Sequence, residues 1–174
     1  MGVPGRNWVF VKILTDEGLY GWGEATMEWH EKAVLGGIET VKPLLLGADP
    51  LQIEHIWQIL FRHHWWRESV SMKSAISGID HALWDIAGKA YGQPVYRLLG
   101  GAIRRQVELY ARGDLGLAND VLEAEAAWKE GFTAFKGGVS LAPRFDEKAQ
   151  VDRMIAECAE IERSVGHDLR IMLD

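Results

Sequence analysis

Cysteine is nearly absent: Cys158 is the only one in 174 residues. A lone thiol makes no internal disulfide, which fits a reducing compartment. Cys158 sits inside a helical pattern, so packing is its expected role. Long apolar runs are missing too. No stretch approaches the roughly 20 residues that cross a bilayer, and the first six residues lack the apolar core of a signal peptide. A myristoylation signal is also lacking, because position 6 is Arg rather than Ser or Thr. The expected location is the cytoplasm, with no membrane partner. Nor is there an excess of positive charge. The formal net charge is −6, and Lys and Arg are scattered apart from short clusters such as Arg104-Arg105. Nucleic acid is therefore not an expected partner.

What is present is the composition of a globular protein: 48% of residues are apolar and 25% are charged. Tryptophan is abundant, with Trp22, Trp57, Trp65, Trp66 and Trp84 recurring among apolar neighbours. Such rings are expected in core or interface space.

Residues 7–15, NWVFVKILT, alternate and are β-branched, which predicts a strand. Asp16-Glu17-Gly18 reads as a turn and 19–24 as the returning strand of a hairpin. Helical spacing follows over 30–46, carried by Ala33, Val34, Ile38, Val41, Leu44 and Leu45 and closed by Gly47. Asp49-Pro50 predicts the start of a second helix, with Asp as cap and Pro at the first position. A third helix is expected from about Met72 to Tyr91, broken by Gly92-Gln93-Pro94. Asp80 and Asp85 within it are expected to serve in capping and packing.

Beyond Gly101 the pattern changes. Strands are expected at 107–111, 133–136 and 169–173, and helices at 118–130 and 146–165. Strand, helix, strand, helix, strand is a βαβ series, and short continuous apolar strands suit a parallel sheet covered by helices. Two domains are thus expected, an α+β domain over 1–104 and the βα series over 105–174. A last strand with no helix after it suggests the N-terminal part of a longer chain. The alternative is a small open three-stranded sheet.

The stretch SAISGIDHALWDIAGKAYGQPVYRLLGG (74–101) is similar to the signature of the mandelate racemase and muconate lactonising enzyme family. The matching positions are Ala75, Ser77-Gly78-Ile79-Asp80, Ala82-Leu83, Asp85, Gly88-Lys89, Pro94-Val95 and Leu98-Leu99-Gly100. Gly21-Trp22-Gly23-Glu24 and residues 46–50, LGADP, also resemble the family's N-terminal region. Residues 57–101 and the later GFTAFKGG look closest to its galactonate-type acid-sugar dehydratases. The resemblance implies an α+β capping domain followed by the start of a (β/α) barrel of the TIM type, whose first cap strand is not visible before Val3. It also implies Mg2+, a small-molecule sugar acid as substrate, and a homo-oligomer at full length.

The chemistry implied is removal of a proton beside a carboxylate. That step gathers two negative charges on one small group, so a divalent cation with oxygen ligands is required. The resemblance gives Asp174, at the end of the third barrel strand, as the first metal ligand; the alternative is a solvated Asp at a strand end. Lys136, at the end of the second strand, matches the first Lys of the family's Lys-x-Lys pair. It is read as a cation on the substrate or its carboxylate, or else as a barrel-mouth Lys paired with an acid. The second Lys is absent, because position 138 is Gly. A racemase needs bases on both faces of the substrate, whereas a dehydratase needs one, so this departure favours dehydration.

Glu24, Trp29 and His30 follow the hairpin, where the family's cap has a loop that closes on substrate; they read equally as ordinary loop residues. His63 and His64 are adjacent, so on a helix they point about 100° apart and make a poor metal pair. Arg67 is placed to reach a carboxylate. His81 reads as an ordinary helical His. Three functions follow in order: dehydration of a sugar acid to a 2-keto-3-deoxy acid, racemisation or cycloisomerisation, and a non-catalytic cap and oligomer-contact module. The 174 residues supply one metal ligand and no evident base, so the chain by itself is expected to be inactive.

Overall fold

The computed structural model describes residues 2–3, 6–63, 65–67, 69–113, 120–137 and 146–173. The chain divides into two compact units, Met1–Ile103 and Arg104–Asp174.

In the first unit β1 (Gly2–Val3) pairs antiparallel with β2 (Arg6–Asn7), and β3 (Phe10–Leu14) with β4 (Tyr20–Glu24). The strand expected over 7–15 is therefore divided between β2 and β3. Pairing still runs past the start of β3, because Ala25 N donates to Val9 O at 2.9 Å. The turn at Asp16-Glu17-Gly18 falls where expected, with Gly18 at φ 85°.

Side chains alternate along β4: Gly21 and Gly23 are buried, while Tyr20 and Trp22 face outward. The buried face lies on α3 (Val70–Tyr91) at very short range. A Cβ at Gly23 would fall 1.8 Å from Gly78 O, and one at Gly21 1.9 Å from Ala82 O. Strand backbone thus rests directly on helix backbone, which only a strand without side chains on that face permits. The outer edge of β4 is covered by the same helix. Asp85 Oδ2 accepts from Trp22 N at 2.9 Å, and Lys89 Nζ donates to Tyr20 O at 2.7 Å. Asp85 is thus an edge clamp rather than the expected cap, and Asp80 likewise lies mid-helix. Burial, aided by the charge of Glu54, raises the Asp80 carboxyl against the opposing pull of His81 and a hydrogen bond to Trp84.

Helix ends differ from the expectation for local reasons. α1 (Glu31–Val41) stops short of residue 46, and Lys42–Leu44 form a single 3₁₀ turn. Pro43 has no N–H to extend the ladder. α2 begins at Ile53 and runs to Arg62 rather than starting at Asp49-Pro50. Asp49 instead closes a turn of its own, its Oδ1 accepting from Leu51 N at 2.9 Å and its carbonyl from Gln52 N at 3.1 Å. α3 starts two residues earlier than Met72, because Ser69 Oγ accepts from Met72 N at 3.4 Å. A short helix, α4 (Val95–Leu98), follows the Gly92 break.

The core of this unit joins Val34, Val41, Ile53, Ile56, Leu60, Ile79 and Leu83, with Trp57 and Trp84 packed on it. The other tryptophans named above do not fill the core. Trp22 is on the outer face of β4, and Trp65 and Trp66, in the α2–α3 connection, are 94% and 92% exposed. Neither strand alternation nor helical spacing turns these three inward.

The second unit is a parallel sheet in the order β5 (Ala111–Arg112), β6 (Ala134–Gly137), β7 (Arg170–Leu173). α5 (Asp120–Lys129) and α6 (Glu147–Val165) connect the strands and pack on each other. The parallel strands lie in sequence order and residues of both helices pack against one face, as in a barrel wall rather than a doubly wound sheet. That face is apolar: Phe135, Ala124, Ala127, Ile161 and Leu169 form the cluster, with Ala111 and Ile171 against it. α6 begins close to the expected position 146, where Asp146 is its cap: the Asp146 Oδ1 accepts from Ala149 N at 3.0 Å. The first strand is shorter than the expected 107–111, with Val107, Leu109 and Tyr110 exposed. Cys158 is half-buried on α6, and burial together with Glu157 and Glu162 pushes its thiol up.

Candidate functional site

The strand register divides the sheet into two rows. Ala111, Phe135 and Ile171 are partners in one row, which packs on the helices. Arg112, Lys136 and Met172 are partners in the next. Successive residues of a strand point to opposite faces, so this second row lies on the face opposite α5 and α6, one residue nearer the C-terminal ends. Lys136 is half-buried in the middle of that row, between exposed Arg112 and exposed Met172. Gly113 N donates to Lys136 O at 3.0 Å and ties the ends of β5 and β6 together. In a (β/α) barrel the corresponding face and edge line the mouth where chemistry occurs.

Behind this edge, on the helix side, sits Asp120 in the first turn of α5, only 7% exposed. Its carboxylate occupies space that two glycines leave open: a Cβ on Gly113 or on Gly137 would lie 3.0 Å from one of its oxygens. A helix N-terminus favours a carboxylate there. Among the described residues it is the one buried charged side chain, and sequence reasoning missed it because an acidic residue in the first turn of a helix ordinarily reads as a surface position. Arg112 was missed because the apolar strand pattern stops at Ala111.

The N-terminal ends of the same strands carry a different cluster. Glu108 accepts hydrogen bonds from the Thr133 hydroxyl and the Arg170 guanidinium. The Thr133 bond first, then Arg170 by hydrogen bond and charge, hold its carboxyl below the ordinary range. A groove of about 720 Å³ lies here, lined by Glu108, Tyr110, Ala134, His167, Arg170 and Met172 among others. Its charged groups are already engaged with one another, so it is a poorer candidate than the Lys136 edge.

The remaining sequence-derived candidates lie in the first unit. Glu24 Oε1 accepts from Thr26 N at 2.8 Å, and Thr26 Oγ1 accepts from Val9 N at 3.0 Å. Glu24 therefore secures the exit from the hairpin. Trp29 is 82% exposed and holds φ at +64°, a left-handed conformation that costs a non-glycine residue about 1–2 kcal/mol. His30 is exposed at the N-cap position of α1 without a side-chain cap bond. His63 and Arg67 are exposed after α2. Asp174, Gly138 and His64 lie outside the described residues. Among the described residues no three His, Cys, Asp or Glu side chains form a metal-binding group, so these residues alone do not fit a magnesium centre. Among them, too, no helix is long and apolar enough to cross a membrane.

Comparison with known proteins gives a consistent picture. Residues 2–100 match the N-terminal domain of mandelate racemase / muconate lactonizing enzyme. D-galactonate dehydratase of Verminephrobacter eiseniae is 40% identical over 99% of this chain and 45% of its own length. The crystal structure of the 3,6-anhydro-D-galactonate cycloisomerase of Zobellia galactanivorans superposes with a TM-score of 0.84 at 36% identity, over 97% of this chain and 46% of that one. An enolase of Pantoea ananatis, solved with bound D-gluconate and Mg, gives a TM-score of 0.82 at 31% identity, over 99% and 50%. The chain spans about half the length of the relatives it matches.

Proposed function

The chain belongs to the mandelate racemase / muconate lactonizing enzyme family, and from that premise we propose that the protein is a sugar-acid dehydratase of the galactonate type. Its fold class is the expected one, an α+β capping domain followed by strands and helices in the order that opens a (β/α) barrel. The proposed reaction removes the proton beside the carboxylate and expels the β-hydroxide, giving a 2-keto-3-deoxy acid.

One observation carries the proposal: Lys136 stands mid-row at the C-terminal edge, on the face to which the described residues bring no helix, one residue before its strand ends at Gly137. A lysine there is a point charge that orients the substrate carboxylate, and it opposes the charge growing on that group as the proton leaves. Gly138 leaves one face of the substrate without a lysine base, which suits elimination better than exchange of protons on both faces. Trp29 and His30, with Glu24 and Arg67 nearby in sequence or unit, are proposed as the cap's substrate-facing residues. The strained backbone at Trp29 supports that part of the reading. Asp174, the proposed first ligand, would hold Mg2+ together with ligands beyond the described residues. A divalent cation supplies charge neutralisation to a carboxylate losing its α-proton.

The test compares the 174-residue chain with a polypeptide of the relatives' length that contains it, each given D-galactonate and Mg2+. The expected result is 2-keto-3-deoxy acid from the longer polypeptide alone. No 2-keto-3-deoxy acid from the longer polypeptide overturns the proposal, whereas turnover by the 174 residues overturns only the expectation that they are inactive alone. A second reading, cycloisomerisation of an anhydro sugar acid, is favoured by the similarity to the Zobellia structure. Ring opening of 3,6-anhydro-galactonate without loss of water distinguishes it.

A further inference from the structure

Lys136 stands one residue before the end of β6. A strand end frays and twists unless something holds it. One hold is the Gly113 N–H at the end of β5, which donates to Lys136 O at 3.0 Å. A second comes from the first turn of α5. A Cβ on Gly113 would lie 3.0 Å from Asp120 Oδ1, and one on Gly137 would lie 3.0 Å from Asp120 Oδ2. The two oxygens of one carboxylate thus rest against the ends of two neighbouring strands. Glu123, in the same turn, comes this close to the Gly113 position only. The Phe135 ring closes the space, its Cζ 2.7 Å from the Gly113 position and its Cε1 3.8 Å from the Gly137 position. Asp120 is 7% exposed and Phe135 1%. A buried carboxylate is a costly filler, since an apolar side chain would take the same space without desolvating a charge. What it adds is a charge that the positive end of α5 holds in one orientation.

We propose that Asp120 is a positioning residue for the reaction: its carboxylate fixes the paired ends of β5 and β6 and so sets the direction in which Lys136 leaves the sheet. This rests on the reading above, in which Lys136 takes the substrate carboxylate. The lever is the strand itself. Lys136 and Gly137 are consecutive, so they face opposite ways, and it is Gly137 that faces Asp120. A twist of the strand end that swung Lys136 would drive Gly137 into the carboxylate or open a gap beside it. Glycine at 113 and 137 is what admits the carboxylate from α5, because a side chain at either position would contend for its place.

The experiment is a double-mutant cycle in a polypeptide of the relatives' length that contains this chain, with D-galactonate and Mg2+. Asp120→Asn keeps the shape of the side chain and removes its charge. Gly137→Ala approaches the same contact from the strand and covers the case in which Asp120→Asn does not fold. Each is made in the wild type and in Lys136→Met. The charge of Lys136 survives in both single variants and still attracts the substrate, but its aim is lost. The expected result is a kcat lower by roughly tenfold with KM changed by less than about twofold. In the Lys136→Met background neither substitution should lower kcat further, because the group they aim is gone. A loss by the same factor in both backgrounds is what a purely structural role gives, and it overturns the inference alone. So does an unchanged kcat in the folded single variants. Kinetics indifferent to Lys136→Met, or no turnover by the wild type, overturn the underlying reading and the inference with it.

Discussion

At the scale of single residues, the pair Asp85 and Lys89 shows how the family-like helix motif acts. Partial burial works to raise the Asp85 carboxyl, but the Lys89 hydrogen bond, the Trp22 N–H and the Lys89 charge together hold it below its ordinary value of 3.8. A depressed folded value contributes stability that is complete above the unfolded value, and it is lost as pH falls through the folded one. Asp85→Asn keeps an acceptor for Trp22 N but loses the attraction to Lys89. The expected cost near neutral pH is about 1 kcal/mol or less, since both groups are partly solvated. The wild type and variant should converge below about pH 4. Urea titrations at several pH values measure this, and a constant difference down to pH 2 would contradict the assignment. Lys136 makes a separate prediction in a polypeptide of the relatives' length. Lys136→Met should lower kcat/KM on a sugar acid by about two orders of magnitude, the loss of one charge-assisted contact to the reacting group. Unchanged kinetics would remove Lys136 from the site.

At the scale of elements, the contact of β4 with α3 sets the geometry of the first unit. Gly23→Ala places a methyl group 1.8 Å from Gly78 O, and neither backbone can yield without separating strand from helix. The expected destabilisation is about 3 kcal/mol or more. Gly36→Ala provides the contrast, because a Cβ there meets nothing within 4 Å on exposed α1. Ala at a helix interior is expected to add up to about 1 kcal/mol. Opposite signs in thermal or urea unfolding check the pair together. The contact also marks what the sequence makes legible. The hairpin turn at Gly18, the Tyr91 end of α3 and the start of α6 near residue 146 follow from residues with strong local preferences. The motif glycines at 21, 23 and 78 were readable only as a likeness, because close approach depends on two segments far apart in the chain. Pro43 and the Asp49 turn displaced helix ends because a local hydrogen bond or a missing donor outweighed apolar spacing. Lys136 was legible as a strand end following an apolar run. Arg112 and Asp120 were not, since only pairing and burial in three dimensions bring them to the same edge.

At the scale of the whole chain, the two units differ in how well they cover themselves. The first has a helix layer on its hairpin and a continuous core. The second is a parallel sheet, which ordinarily needs cover on both faces, and its described residues supply helices to one. Val107, Leu109, Ile155 and Leu173 are each more than half exposed. A unit of about 70 residues with a small core and exposed apolar surface has little stability of its own. Tryptophan separates the two units, because seven of the eight lie before residue 104 and Trp128 alone lies after it. Fluorescence therefore reports mainly the first unit, and far-ultraviolet circular dichroism reports both. In urea, the dichroism signal should begin to fall at a lower concentration than the fluorescence changes, a departure from two-state unfolding. The remaining dichroism change should then coincide with the fluorescence transition. Coincident curves throughout would mean that the second unit unfolds only with the first and would contradict its low stability.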